Sequence, residues 1–281
     1  MTGTVVRVSE LPLSPMGELD DAELCDAGAG DRTVVGRAVR ILDAVATGTP
    51  PVSLARLTIR TGLPKATVRR IANGLARRGM LTATSMGYRI GPRLLWQGMR
   101  SRDRQRETIT VQPYLQELYA CSDAQIAWYA IRCHGELAIA ATAFGLADRA
   151  IVQATSRLDL SAFGPSLVLT AAGRLHIAHD DELIDRISTT SCPPLTNHSV
   201  TDPKRLRALL DAARATGSAL EYEQVLRGWS CAAEAVYDTS GDLIGVLGVL
   251  GRGFSVARRG LRPKIHRLVT ELQTELTGLR P

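Results

Sequence analysis

Residues 33–98 carry three short amphipathic segments followed by a hairpin pattern, and that order leaves few folds open. Ala38, Ile41, Leu42 and Val45 fall at i, i+3, i+4 and i+7, the spacing of a single helix face. Gly48, Pro50 and Pro51 end that helix. Ser53 is placed to N-cap a second short helix, which begins with Leu54 and Leu57 and stops near Gly62. Pro64 suits the first turn of a third helix, where its missing N–H costs nothing. Val68, Ile71 and Leu75 give this third helix one buried stripe, and Gly79 gives it a C-terminal stop. A hairpin is predicted next, from 81–83 and 88–90 around Ser85-Met86-Gly87. Two helices joined through a glycine turn and followed by a hairpin meet the requirements of a winged helix-turn-helix between about Arg32 and Gly98. In that motif the second helix enters the major groove of duplex DNA.

Charge supports the same reading. The net charge is only +6, yet no acidic residue lies between Asp43 and Asp103, a stretch that holds eleven Lys and Arg residues. The rest of the chain has more acids than bases, so one cationic region sits in a mildly anionic protein. Such a region attracts a polyanion, because neutralising phosphates releases condensed counterions. On the outward face of the third helix, Lys65, Thr67, Arg69, Arg70 and Asn73 suit DNA contact. Arg and Lys pair with guanine O6 and N7, and Thr meets a phosphate or a thymine methyl. Asn73, further along, suits adenine or a phosphate. On the hairpin, Arg89 beside Tyr88 is placed for a phosphate or minor-groove contact. The alternative is a ligand-sensing module whose basic domain binds a protein partner.

The remainder sorts into a tail over 1–31, a DNA-binding domain over 32–91, a linker helix over 92–107 and a second domain over 108–281. The tail is rich in Gly, Pro, Ser and acid and shows no period. Residues 92–106 read as a helix running into a basic stretch. Helices are expected over 111–119, 167–178, 202–216 and 261–279, and strands over 124–132, 136–142, 232–237 and 243–250. This is an α+β pattern with a central antiparallel sheet.

The segment GRAVRILDAV…SLARLTIRTGLPKATVRRIANGLARRGMLTATSMGYRIGPRLLWQG resembles the DNA-binding domain of IclR-family bacterial transcription regulators. The most specific pieces are TGLPKATVRRIANGLARRGML and the wing exit YRIGPRLL. A weaker match continues through TAAGRLHIA, GSALEYEQVLRGWSCAAEAVYDTSGDLIGVLGVLG and the last helix, so that the likeness spans residues 33–279. It implies a GAF-like α/β effector-binding domain, a homodimer or dimer of dimers, and double-stranded operator DNA whose binding is modulated by a small organic effector.

In this family the effector pocket is lined by the loop before the TAAGR helix and by the strands that follow. Carried across by position, the resemblance implies Phe163 and Gly164 from the loop, with Glu221, Cys231, Ala233, Gly248 and Leu250 from the strands. Glu221 falls where an acid, usually Asp, stands in the family. Gly248 and Leu250 replace the small serines of the carboxylate binders. Leu250 cannot hydrogen-bond, so the expected effector is larger or less polar than a short keto acid, such as an aromatic compound or a lactone. Plainer readings are a small core residue for Cys231 and an exposed loop carboxylate for Glu221.

Other chemistry finds little support. The five cysteines are scattered, with no CxxC pair, which suits a reducing cytoplasm. No apolar run is long enough to cross a membrane, and the acids among the first 31 residues break any secretory core. His176 and His179 are one helical turn apart but lack a third ligand, so neither a metal nor a cofactor is expected. No GxSxG motif or phosphate loop marks an enzyme.

Overall fold

The computed structural model describes residues 33–100, 102–123, 125–133, 136–155, 160–189, 192–253, 255–257 and 260–279. They divide into two compact units whose boundary falls between Gln105 and Arg106. The expected tail over 1–31 lies outside the described residues.

The N-terminal unit holds α1 (Val34–Ala46), α2 (Leu54–Thr61), α3 (Lys65–Arg77), β1 (Leu81–Thr84), β2 (Gly87–Ile90) and α4 (Pro92–Arg100). Local chemistry sets most of these boundaries. Thr33 Oγ1 accepts from the Gly36 N–H at 3.0 Å, and Ser53 Oγ accepts from the Arg56 N–H at 3.3 Å. Each such cap satisfies a donor that a helix start leaves open, worth about 1 kcal/mol. Gly62 closes α2 in the left-handed region at φ 63°, a conformation that would strain any residue with a Cβ. Pro64 sits one position earlier than expected: it is the N-cap of α3, and Lys65 is the first helical residue. The three helices bury Ile41, Val45, Leu57, Val68, Ile71 and Leu75 together, and Leu81 and Tyr88 of the hairpin complete that core. Val52 and Tyr88 exchange backbone hydrogen bonds of 2.8 and 2.9 Å, tying the entry to α2 against the wing.

The C-terminal unit begins within α5 (Arg102–Cys121) and continues with β3 (Ile126–Cys133), β4 (Glu136–Ala143), α6 (Arg149–Thr155) and a 3-10 stretch over Leu160–Leu169. Then come α7 (Ala171–Ile177), α8 (Asp181–Thr189), α9 (Pro203–Thr216), β5 (Ser218–Tyr222), β6 (Trp229–Tyr237), β7 (Leu243–Arg252) and α10 (Leu261–Leu279). The helix expected over 167–178 is therefore two pieces, parted at Thr170, whose hydroxyl caps α7 through the Gly173 N–H at 2.8 Å. Helices α6 and α8 are additions to the sequence reading.

The five strands form one antiparallel sheet in the order β4-β3-β7-β6-β5. One face packs on α5 and α10 through Val111, Leu115, Leu118, Ile265, Leu268 and Leu272. The other packs on the 3-10 stretch, α7, α8 and α9 through Val168, Leu169, Leu175, Ile184, Leu206 and Leu210. With both faces covered, β6 and β7 lack the alternation of a half-exposed strand: eight of the ten β7 residues are buried.

Candidate functional site

The residues singled out from the sequence lie in two places, one in each unit. On α3 the apolar stripe turns inward, while Lys65, Arg69, Arg70, Asn73 and Arg77 are exposed and Thr67 is half-buried. At 100° per residue the exposed positions span an arc of about 140°. Arg89 is exposed on β2. No carboxylate from residues 44–102 can neutralise this surface, because that stretch contains none.

Tyr88 requires a correction. It does not face outward beside Arg89; its ring is in the core at 8% exposure. Strand alternation forces this, since neighbouring strand residues point to opposite sides. Its hydroxyl emerges at the edge of the core and donates to Asn73 Oδ1 at 2.9 Å. Tyr88 therefore meets the helix and not a ligand outside it.

In the C-terminal unit the sheet register gathers most of the second residue set on one face. Glu221 pairs with Cys231 and Cys231 with Leu250 across β5, β6 and β7. One rung along, Ala219, Ala233, Gly248 and Trp128 are paired in sequence from β5 to β3. All of these except Leu250 are buried, and Phe163 and Leu250 pack half-buried against the same cluster. Gly164, by contrast, is exposed, with φ 49° and ψ −131° at the kink of the 3-10 stretch.

The polar centre of this face is Glu221. It is 3% exposed on a strand, not on a loop. One carboxylate oxygen accepts from the Gln224 N–H at 2.9 Å. Burial raises its pKa from 4.5 to about 7, against the lowering effects of that hydrogen bond and of the Arg174 charge. Arg174, 1% exposed on α7, is already engaged. Its guanidinium donates to Val168 O at 2.9 Å, Leu220 O at 2.6 Å and Gln224 Oε1 at 2.9 Å. Burial lowers the Arg174 pKa and holds the Cys231 thiol well above its ordinary value.

Gly248 is not an open pocket wall. A Cβ there would stand 2.3 Å from Trp128 Cζ2 and 2.6 Å from Cε2, so the indole lies against bare backbone. Trp128, Arg174 and Gln224 are functional candidates that sequence reasoning missed. Arg174 had a visible signal, a lone charge inside the apolar run AAGRLHIA. His179, weighed with His176 as a metal pair, has both ring nitrogens occupied, at 2.7 Å from Leu175 O and 2.9 Å from Tyr237 Oη. No group of three metal-binding side chains is found among the described residues.

Comparison with known proteins joins the two surfaces. The IclR helix-turn-helix domain matches residues 34–85, and the bacterial transcriptional regulator IclR C-terminal domain matches residues 151–274. The chain belongs to the IclR family of transcriptional regulators. IclR-family relatives include the Pca regulon regulatory protein of Pseudomonas putida, 26% identical over 96% of this chain and 92% of that protein. The transcriptional regulator TtgV, also of Pseudomonas putida, is 27% identical over 75% of this chain and 78% of its own. The fold is shared with an IclR homologue from Microbacterium hydrocarbonoxydans crystallised with 4-hydroxybenzoate, at TM-score 0.68 and 19% identity, covering 88% of this chain and all of that one. It is shared also with a regulator from a Silicibacter species, at TM-score 0.71 and 21% identity, covering 87% and 95%. The protein is thus a regulator with a helix-turn-helix DNA-binding domain, and its family consists of transcription factors rather than enzymes. No helix among the described residues is long and apolar enough to cross a membrane.

Proposed function

We propose that this IclR-family regulator reads a two-fold operator as a homodimer or dimer of dimers, through the exposed face of α3. Lys65, Arg69 and Arg70, near the helix start, contact base edges, with Thr67 beside them; Asn73 and the wing residue Arg89 contact the DNA at its flanks. The observation that carries this reading is the cationic α3 face, with no acidic residue nearby in sequence to neutralise it. One recognition helix reads too few bases for useful specificity, and two copies across a pseudo-palindrome multiply both area and information. Exposed apolar side chains that a second copy could cover occur on α1 (Val34, Val35 and Val39) and on α4 (Leu95 and Trp96), each between 49% and 72% exposed.

The C-terminal unit binds the effector on the sheet face that carries Glu221, Cys231, Ala233 and Leu250, under Phe163 and the 3-10 stretch. Its apolar lining suits an aromatic or similarly weakly polar compound. The compound crystallised with the Microbacterium homologue, 4-hydroxybenzoate, is of that class. Effector binding shifts operator affinity by as much as its own affinity differs between two states of the protein. The protein works in the cytoplasm, where its operator is.

The deciding experiment is selection of duplexes from a random library, followed by binding of the selected operator to Arg69→Ala and Arg70→Ala. Loss of a base contact costs about 1–3 kcal/mol and relaxes preference at one operator position. Wild-type affinity in both variants would move the recognition surface elsewhere. Binding that is insensitive to salt would favour a protein partner over DNA.

A further inference from the structure

The second half of α3 and strand β1 border a shallow, open cleft of about 610 Å³, lined among others by Asn73, Ala76, Arg77, Gly79, Thr82 and Ala83. Three of these residues carry hydrogen-bond donors and the other three are small. Asn73 lies near the middle of the exposed arc of α3, one turn before Arg77. Its amide is held from behind, because the Tyr88 hydroxyl donates to Oδ1 at 2.9 Å. With Oδ1 turned toward Tyr88, the group directed outward is the Nδ2 amide, which has two donors and no acceptor. Arg77 adds a guanidinium that is exposed and lies in the acid-free stretch. Exposed Thr82, on the opposite wall, brings a hydroxyl.

We infer that this cleft seats one backbone strand of the bound duplex, as a phosphodiester clamp. Arg77 supplies charge and Asn73 Nδ2 a neutral donor, while Thr82 closes the far side. Tyr88 is a positioning residue: it touches no DNA and acts by holding the Asn73 side chain in place through this hydrogen bond. A phosphodiester is the occupant that fits, because each unit presents a negative charge and acceptor oxygens to a site made of donors. A base edge fits less well, since bidentate adenine recognition needs the amide oxygen and nitrogen together. Ala76, Gly79 and Ala83, the small residues of the lining, leave room for the sugar. This inference rests on α3 being the DNA face and adds what its second half does there.

The test uses the full-length protein with two probes, a mixed-sequence duplex and a selected operator, titrated by fluorescence anisotropy over a range of salt. Asn73→Ala and Tyr88→Phe should each weaken binding by about two- to ten-fold on both probes, the range expected for one hydrogen bond. Tyr88→Phe added to Asn73→Ala should cause no further loss, which separates positioning from a general effect on folding. Phe keeps the ring in the core, and thermal unfolding of each variant confirms a folded protein. Arg77→Ala should lower the slope of log affinity against log salt by about one for each clamp engaged.

Three results would overturn the clamp. One is an Asn73→Ala variant that keeps mixed-sequence affinity but relaxes base preference at one operator position, making Asn73 a base reader. Another is a Tyr88→Phe loss that persists in the Asn73→Ala background. The third is unchanged binding in Asn73→Ala, Arg77→Ala and Tyr88→Phe while Arg69→Ala and Arg70→Ala lose affinity, which refutes the clamp and leaves the recognition face standing. If Arg69→Ala and Arg70→Ala also bind normally, the face itself is wrong and the clamp falls with it.

Discussion

Replacing Glu221 by Gln should change how the C-terminal unit responds to pH, and the size of the change follows from its burial. The carboxyl is 3% exposed, and its pKa is raised from 4.5 to about 7. That difference is worth about 3 kcal/mol, at 1.36 kcal/mol for each pKa unit. The sign follows from proton counting. Between pH 4.5 and 7 the unfolded chain has lost this proton and the folded chain keeps it, so stability falls as pH rises. Below that window Glu221 is neutral in both states, and above it the burial penalty is fully in force. Gln is neutral throughout and its oxygen can still accept from the Gln224 N–H. The titratable groups facing Glu221 are Arg174, Glu223 and Cys231, and the substitution leaves all three in place. The variant should therefore lack only the Glu221 component of the pH slope. Urea unfolding followed by tryptophan fluorescence reports the unit through Trp128 and Trp229, with Trp96→Phe removing the signal from the other unit. From about pH 5 to pH 8 the wild type should lose about 2.5 kcal/mol relative to the variant, whatever the constant offset between them. Parallel stability curves over that range would show that Glu221 is not desolvated, and the argument from burial would fail.

Other perturbations test the remaining parts. Gly248→Ser places a Cβ 2.3 Å from the Trp128 ring; displacing the indole should cost about 1–3 kcal/mol in thermal unfolding, and an unchanged midpoint would mean that the ring does not rest on the backbone. Trp96→Asp puts a charge on the exposed apolar side of α4 and should weaken self-association by about 2 kcal/mol or more; sedimentation velocity unchanged from wild type would remove α4 from the interface. Leu250→Ser should shift the effector preference toward small acids, and calorimetry with pyruvate and 4-hydroxybenzoate gives the answer directly. Tight pyruvate binding by the wild type would undo the case for an apolar site.

The N-terminal unit is the more legible of the two because its determinants are local. Ser53, Gly62 and the spacing of Val68, Ile71 and Leu75 each act within a few residues, so reading them in order recovers the helices. Even there Tyr88 departs from expectation, although the signal is present: in the strand Gly87–Ile90 an apolar Tyr alternates with Arg89, and only one of them can face water. The C-terminal unit depends on contacts between distant segments. Trp128 settles over Gly248 across 120 positions of chain, and Arg174 reaches Leu220 and Gln224 from another element. No periodicity reports such pairings, and the resemblance supplies only the positions, not what fills the space around them. The replacement of a family serine by Gly248 illustrates the limit. From sequence it removes a polar group and suggests a roomier, more apolar pocket; in the fold the same glycine is the recess that admits a tryptophan ring. If this face is the effector site as proposed, its polarity is set less by what stands at 248 than by the buried carboxyl of Glu221, whose protonation then decides whether a ligand meets a donor or a charge.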